Sequence, residues 1–321
     1  MSAGTGAVRP LLVIGDANAD LVLRGDVVPR FGQAEQILDA ADLVLGGSAS
    51  IVACGAARLD VPTSLLARIG DDAFGAFVLD ALRERGVDTA DVRVRAEAAT
   101  GLSVILSAPE DRSILTALGT IPDVSAEDAI ERIRRWRGTA GILHVASYFL
   151  QPALAADLPA VLAEARERGW TTSLDTNWDP AERWLGLAEA LPHLDLLLPN
   201  RSELRAIAGA LGVTDAPDEE LARALSRRGP RVVVKDGARG GWSVRGEDAV
   251  ERGPGRRVDV VDTTGAGDSF DAGYLAALAH GVGAERERLR WAAVAGSLST
   301  TRSGGTAGQA TRGELLAALT G

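Results

Sequence analysis

The chain has 321 residues, 46% of them hydrophobic, which is enough to bury one large α/β core. Against 44 acidic residues it sets 34 basic ones, scattered rather than clustered, so its formal charge of −10 argues against a nucleic-acid or acidic-membrane surface. A single cysteine, Cys54, excludes an intramolecular disulfide. With no basic-then-apolar opening and no run of about 18 apolar residues, a soluble, cytoplasmic protein acting on a small molecule is expected.

Apolar runs at Leu11–Ile14, Thr63–Ala67, Ile142–Val145, Thr171–Leu174, Leu194–Leu198 and Arg231–Val234 read as strands. Helical patterns such as Leu154–Arg168 and Glu219–Arg228 separate them, and this alternation predicts βαβ units with a mainly parallel sheet. Two segments break the rhythm, Leu21–Leu45 and Asp91–Ala117, the latter including Asp91–Arg95 and Leu102–Leu106. Both read as short strands of a small separate sheet within a single domain spanning residues 1–321.

Along the chain, Gly15-Asp16-Ala17-Asn18-Ala19-Asp20 follows the first strand, where open parallel sheets place ligands. Asp16, Asn18 and Asp20 suit either hydroxyl recognition or turn chemistry. Gly46 and Gly47 precede a helix ending near Leu59, and Asp71 and Asp72 begin another that runs to Arg85, with capping as their job. Arg112, on a strand of the small sheet, is either a substrate contact or a solvated edge charge. His144 reads as a packed strand-end residue, and the three histidines make no metal pattern. Asn200-Arg201-Ser202-Glu203 has both the spacing of a helix cap and oxygens that can organise magnesium through water. Lys235-Asp236-Gly237-Ala238-Arg239-Gly240 is a glycine-rich turn in which Gly237 and Gly240 carry more weight than Lys235.

Asp262-Thr263-Thr264-Gly265-Ala266-Gly267-Asp268-Ser269-Phe270 is the most informative stretch. Phe270, Tyr274, Leu275 and Leu278 fall at helical spacing, predicting a helix from near Gly267 to about His280. Its free amides and positive dipole end form an anion site, and glycine lets a phosphate approach the backbone. Asp268 then suits two tasks equally, as a helix cap or as the base that takes a proton from an attacking hydroxyl.

Continued through Asp271-Ala272-Gly273-Tyr274-Leu275, this run resembles the C-terminal signature of the ribokinase-like carbohydrate kinases, the phosphofructokinase B family. Family-like pieces keep the same order from Gly15–Asp20 to Thr301–Gly305, so the resemblance covers nearly the whole chain. It implies an α/β three-layer sandwich with a β lid over the sugar. It also implies ATP-dependent phosphorylation of a sugar or sugar-like alcohol, with nucleosides as alternative substrates and a non-catalytic sugar sensor as the alternative class. The implied roles are Asp268 as base and Gly265, Ala266 and Gly267 as anion hole. Asp16, Asn18, Asp20, Gly46, Gly47 and Arg112 would bind sugar. Asn200, Lys235, Gly237, Gly240, Thr264 and Gly267 would bind nucleotide, and Asn200 with Glu203 would organise magnesium. Asp175 and Asn177 resemble the family's Asp-x-Asn segment beside the phosphate, Asp262 and Gly304 lie where several relatives bind potassium, and the lid implies a homodimer. The chain departs from the family at three places. Ile51 replaces an Asn, predicting a more apolar pocket corner and poor use of ribose. Leu118-Gly119-Thr120-Ile121 replaces Pro-Gly-Ala-Asn, and Ala293 stands where many relatives carry Asn near the adenine.

Overall fold

The computed structural model describes residues 7–33, 35–108 and 112–320. In chain order the strands are β1 (Leu11–Ile14), β2 (Asn18–Arg24), β3 (Ala40–Gly46), β4 (Thr63–Gly70), β5 (Val92–Arg95), β6 (Gly101–Ser107), β7 (Arg112–Ala117), β8 (Ile142–Val145), β9 (Thr171–Leu174), β10 (Leu196–Leu197), β11 (Arg231–Lys235), β12 (Gly241–Val244) and β13 (Glu251–Gly253). The helices are α1 (Ser48–Arg58), α2 (Ala73–Glu84), α3 (Ala126–Arg135), α4 (Pro152–Ala155), α5 (Leu158–Glu167), α6 (Leu187–Ala190), α7 (Arg201–Ala210), α8 (Asp218–Ser226), α9 (Ala266–Ala279), α10 (Glu285–Ser299) and α11 (Arg312–Thr320).

The large sheet runs β13-β12-β11-β10-β9-β8-β1-β4-β5, parallel from β11 to β5, with β12 and β13 added antiparallel at one edge. Helices cover both faces, so a central strand must be apolar on both sides. β1 shows this directly. Leu11 and Val13 point into a core shared with α1, α9 and α10, while Leu12 and Ile14 point into one shared with α3, α5, α7 and α8. Cys54 is buried in the first of these cores, a small packing residue of α1 whose thiol burial pushes up to about 12.

The second sheet runs β3-β2-β6-β7. Two boundaries differ from the sequence reading. The sheet begins at Asn18 rather than Leu21, so Asn18 and Asp20 lie on β2 and not in a loop. Val92–Arg95 belongs to the large sheet, paired with Ala67–Gly70 of β4, because the short connection after α2 returns the chain beside the strand that precedes that helix.

The helix expected over Leu154–Arg168 is two helices, α4 and α5. Pro159, near the start of α5, has no N–H to give and its ring excludes a helical carbonyl four residues back, so no helix continues through Ala155. The strand expected at Leu194–Leu198 shrinks to Leu196–Leu197, whereas Thr63–Ala67 extends to Gly70.

α9 and α10 make the tightest helix pair around the site, and a buried polar contact ties them to the sheet edge. The Tyr274 hydroxyl, fully buried on α9, donates to Glu285 Oε1 at 2.8 Å, and the Ser243 hydroxyl of β12 donates to the same carboxylate oxygen at 2.6 Å. Tyr274→Phe is expected to lower the unfolding free energy by about 2 kcal/mol, the net worth of a hydrogen bond to a charged group. Urea denaturation measures it, and an unchanged midpoint at unchanged slope would show that the hydroxyl contributes nothing.

Candidate active site

The carboxyl ends of β1, β8, β9 and β11 converge with the N-termini of α1, α7 and α9, the place where a parallel sheet exposes both strand ends and helix dipoles. Asp16 follows β1 and turns its carboxylate to the start of α1, accepting the amides of Ala49 at 2.9 Å and Ser48 at 3.1 Å. Gly47, at φ 87°, makes the turn between β3 and α1. A side chain there would strike Asn18 Oδ1 and the Asp16 carbonyl at 2.8 Å. At Gly46 a Cβ would lie 2.0 Å from Asp20 Oδ1. The diglycine therefore makes room for Asn18 and Asp20, whose side chains are buried against it and joined by a 2.8 Å hydrogen bond from Asn18 Nδ2.

Gly265 is left-handed at φ 69° and starts α9, whose N-terminus carries no side-chain cap. Asp268 in the first turn does not supply one. Its Oδ1 instead accepts the Ser48 hydroxyl, and Ser48 Oγ accepts Asn177 Nδ2 at 3.1 Å. Asn177 sits left-handed at φ 54° and takes the Ser147 amide on Oδ1 at 2.8 Å, which fixes its orientation. The Asp268 carboxyl keeps a solvent-facing edge but lies deep in the cleft. Desolvation is the main cause that raises it to about 7; the Ser48 bond works against this, and the Asp175 charge adds to it.

Beneath this turn lies a buried ion cluster. Lys235, ending β11, donates from Nζ to Asp175 Oδ2 at 2.6 Å and to Asp271 Oδ2 at 3.1 Å. Burial alone would weaken the ammonium, but Asp175, Asp271 and Glu203 hold its pKa above the usual value. Burial likewise opposes ionisation of Asp175, and Lys235 overrides it and keeps that carboxyl below its usual range. Asp271 is driven well up by burial despite Lys235, and its Oδ1 is buried without a partner among the described residues. Two carboxyls facing one ammonium cannot both ionise cheaply, which is why Asp175 is held low while Asp271 is driven up.

The inner face of the small sheet closes over the site. Asn18, Asp20, Ser103, Thr116 and Arg112 share that face by register. Arg112 Nη1 donates to Thr264 Oγ1 at 3.0 Å, and Arg24 pairs with Asp42 and donates to Ser303 Oγ at 2.8 Å. Both arginines thus bridge the small sheet to the loops that flank Gly265. Burial, helped by Asp16, raises Asp20 to about 7.

Asn200 and Glu203 form a capping box on α7. Asn200 Oδ1 accepts the amides of Ser202 and Glu203 at 2.9 and 3.0 Å, and Glu203 Oε2 accepts the Asn200 amide at 2.8 Å. Glu203 is buried, and desolvation with the Asp175 charge raises it to about 7. No group of three or more ligating side chains that could hold a metal occurs among the described residues. The capping box offers an amide oxygen and a carboxylate, hard oxygen donors of the kind magnesium takes through its water. Asp262 spends both oxygens on the amides of Thr264 and Gly304, each at 2.8 Å, and so ties together the loops on which the potassium expectation rests.

Gly237 and Gly240, at φ 56° and 89°, shape the β11–β12 hairpin; at Gly240 a Cβ would collide with the Gly253 carbonyl at 2.2 Å. Ala293 is buried on α10. Ile51 is buried beside the start of α9, where a Cβ on Gly265 or Gly305 would meet its side chain at 3.2 and 2.5 Å. His144 is fully buried with Nδ1 3.0 Å from Ser173 Oγ; burial lowers it to about 4, so it stays neutral. Sequence reasoning did not single out Ser48 and Asp271. Nothing in local pattern marks Ser48. The cluster around Lys235 did have a signal, since Lys235 is the sole lysine among the chain's 34 basic residues.

Residues 9–312 match the family described as pfkB family carbohydrate kinase. The chain is 29% identical over 304 residues to a ribokinase of Arabidopsis thaliana, covering 90% of this chain and 75% of that protein. It is 31% identical over 295 residues to an ATP-dependent ribose-1-phosphate kinase of Halopiger xanaduensis, covering 92% and 93%. The solved structure of Arabidopsis thaliana ribokinase complexed with ribose and ATP superposes with a TM-score of 0.83 at 27% identity, covering 98% of this chain and 99% of that one.

Asp20, Glu203 and Asp268 each titrate near 7 when folded, against 3.8 to 4.5 for free side chains. Between those values the folded protein binds more protons than the unfolded one. Their contribution is therefore complete below about pH 4 and is lost as pH rises through about 7. The urea midpoint is expected to fall from pH 5.5 to 8, ~2.5 units of pH, and Asp268→Asn to flatten part of that slope. A rising midpoint over this window would contradict the burial of these carboxyls.

Proposed function

Since the chain belongs to the pfkB family of carbohydrate kinases, with the ribokinase-like α/β fold and its small-sheet lid, we propose that Asp268 is the general base of an ATP-dependent phosphoryl transfer to a sugar hydroxyl. One observation carries this reading. Asp268 stands in the first turn of an uncapped helix yet turns away from capping it, and its carboxyl is tuned to about 7. A cap needs no such tuning, whereas a base works best with a pKa near the operating pH.

In this mechanism the acceptor hydroxyl loses its proton to Asp268 as its oxygen bonds the γ-phosphorus and the bond to the β–γ bridging oxygen breaks, releasing ADP. Amides of Gly265, Ala266 and Gly267 and the α9 dipole hold the transferring group. Ser48, oriented by Asn177, fixes the carboxylate. Asp16, Asn18 and Asp20 face the sugar from β1 and the lid, with Gly46 and Gly47 leaving them space, and Arg112 latches the lid to Thr264. The nucleotide lies along Thr264, Gly237, Gly240 and Lys235. Magnesium, when bound near Asn200 and Glu203, neutralises phosphate charge. The substrate class includes free and anionic pentoses, given that the relatives named above are a ribokinase and a ribose-1-phosphate kinase.

The reading extends to a homodimer through the outer face of the lid. Leu21, Leu43, Val104 and Leu115 lie in one row across that sheet, and Leu43 and Leu115 are 41% and 57% exposed. Light scattering is expected to give twice the chain mass, and Leu115→Glu to give a monomer. A wild-type monomer at micromolar concentration would remove the dimer from the proposal.

ADP release with magnesium-ATP across sugars, sugar phosphates and nucleosides tests the activity itself; ligand-induced thermal stabilisation without turnover would instead favour a sensor. Asp268→Asn is expected to lose about 100- to 10,000-fold in turnover while staying folded. The acid limb of kcat/KM is expected near pH 7, and Ser48→Ala to move it upward, because the Ser48 bond favours the ionised form. An Asn variant that kept more than about a tenth of wild-type turnover would rule out the base assignment.

A further inference from the structure

Lys235 stands out by residue type as well as by place. Every other basic position in the chain is arginine, including those on the lid, the helices and the loops around the site. Lysine differs from arginine in being a compact point charge on a flexible stem, where a planar guanidinium would need room for its fork. Here the stem runs under the anion site. Its Cδ lies 3.5 Å, and Nζ 3.8 Å, from where a Cβ on Gly267 would be, and Nζ is gripped by Asp175 and Asp271.

As a purely structural device the cluster is badly balanced. One ammonium faces two carboxyls at hydrogen-bond distance, Asp271 is completely buried, and its second oxygen has no partner among the described residues. A buried polar cluster of this kind costs more than apolar packing of the same volume unless every group is satisfied. Asp271 follows Asp268 by three residues on α9, so the charge it holds lies directly below the turn that carries the base.

We propose that Lys235 stabilises the charge of the transferring phosphoryl group alongside the amides of Gly265 to Gly267, and that Asp271 is the positioning residue that, with Asp175, holds its ammonium under Gly267. This rests on the kinase reading, and it goes beyond a nucleotide contact by assigning Lys235 to the γ-phosphoryl group and giving Asp271 a task. The geometry supports a short movement only. The ammonium already lies beside Gly267, and a phosphoryl group on the helix amides competes with Asp271 for it.

The sole lysine makes the test direct. Protein labelled with 13C at the lysine ε-carbon gives one lysine resonance, which is followed while magnesium with the β,γ-imido analogue of ATP, or magnesium-ADP, is added. The imido analogue is expected to displace the resonance and ADP, which lacks the γ group, to displace it much less. Asp271→Asn, which keeps shape, is expected to displace the resonance in the free protein. It should also lower turnover at saturating ATP by about tenfold, less than the ~100-fold loss of a direct oxyanion donor, with KM for ATP changed by less than about twofold. A purely structural cluster would move only the unfolding midpoint. The inference is overturned if the imido analogue stabilises the protein against heat without moving the lysine resonance, or if folded Asp271→Asn keeps wild-type turnover. Failure of both nucleotides to stabilise the protein would instead overturn the kinase reading, and this inference with it.

Discussion

Six carboxyl groups, those of Asp16, Asp20, Asp175, Glu203, Asp268 and Asp271, crowd the space above the carboxyl ends of the parallel strands, and each loses hydration on folding. The protein offsets that cost in three ways. Asp16 gives both oxygens to the amides that open α1. Asp175 takes the Lys235 ammonium. Burial also raises the pKa of every one of them but Asp175, to about 7 for Asp20, Glu203 and Asp268, so that their charged forms are held back. The arrangement of the site follows from that electrostatic constraint. Their donors come from the start of α1, from β2 and β11, and from the segments after β9 and before α7.

The lid obeys the same logic on a smaller scale. Its inner face is polar where it meets the site and its outer face is a row of leucine and valine, an alternation set by the two-residue period of a strand. Arg24 and Arg112 carry the inner face across to Ser303 and Thr264, so the small sheet is tied to the loops around Gly265. Asp262 completes that link by tying Thr264 to Gly304.

Asp268 and the Asn200–Glu203 pair show how one spacing serves two purposes. Both put a polar side chain in the first turn of a helix. In α7 the reciprocal bonds form, and the pair caps the helix. In α9 the left-handed Gly265 offers no side chain, and Ser48, the first residue of α1 and some 220 positions earlier, donates to the Asp268 oxygen that a cap would have used. In the proposed mechanism, the uncapped N-terminus that results is what receives the anion.

The sequence by itself determined the alternation of strands and helices, since continuous apolar runs such as Leu11–Ile14 are tolerated only between two helical layers. It also determined the glycine-rich start of α9, where Gly265 needs a left-handed φ, and the family, whose signature is continuous in the chain. Contacts between distant segments were decided only in three dimensions. Val92–Arg95 alternates like a lid strand, and its partner, β4, decided otherwise. Ser48 and Asp271 were silent because their partners, Asp268 and Lys235, lie 220 and 36 residues away. Local pattern records what a residue does to its own helix or strand. Which buried charge a side chain must answer is set by the fold, because desolvation acts through space and not along the chain.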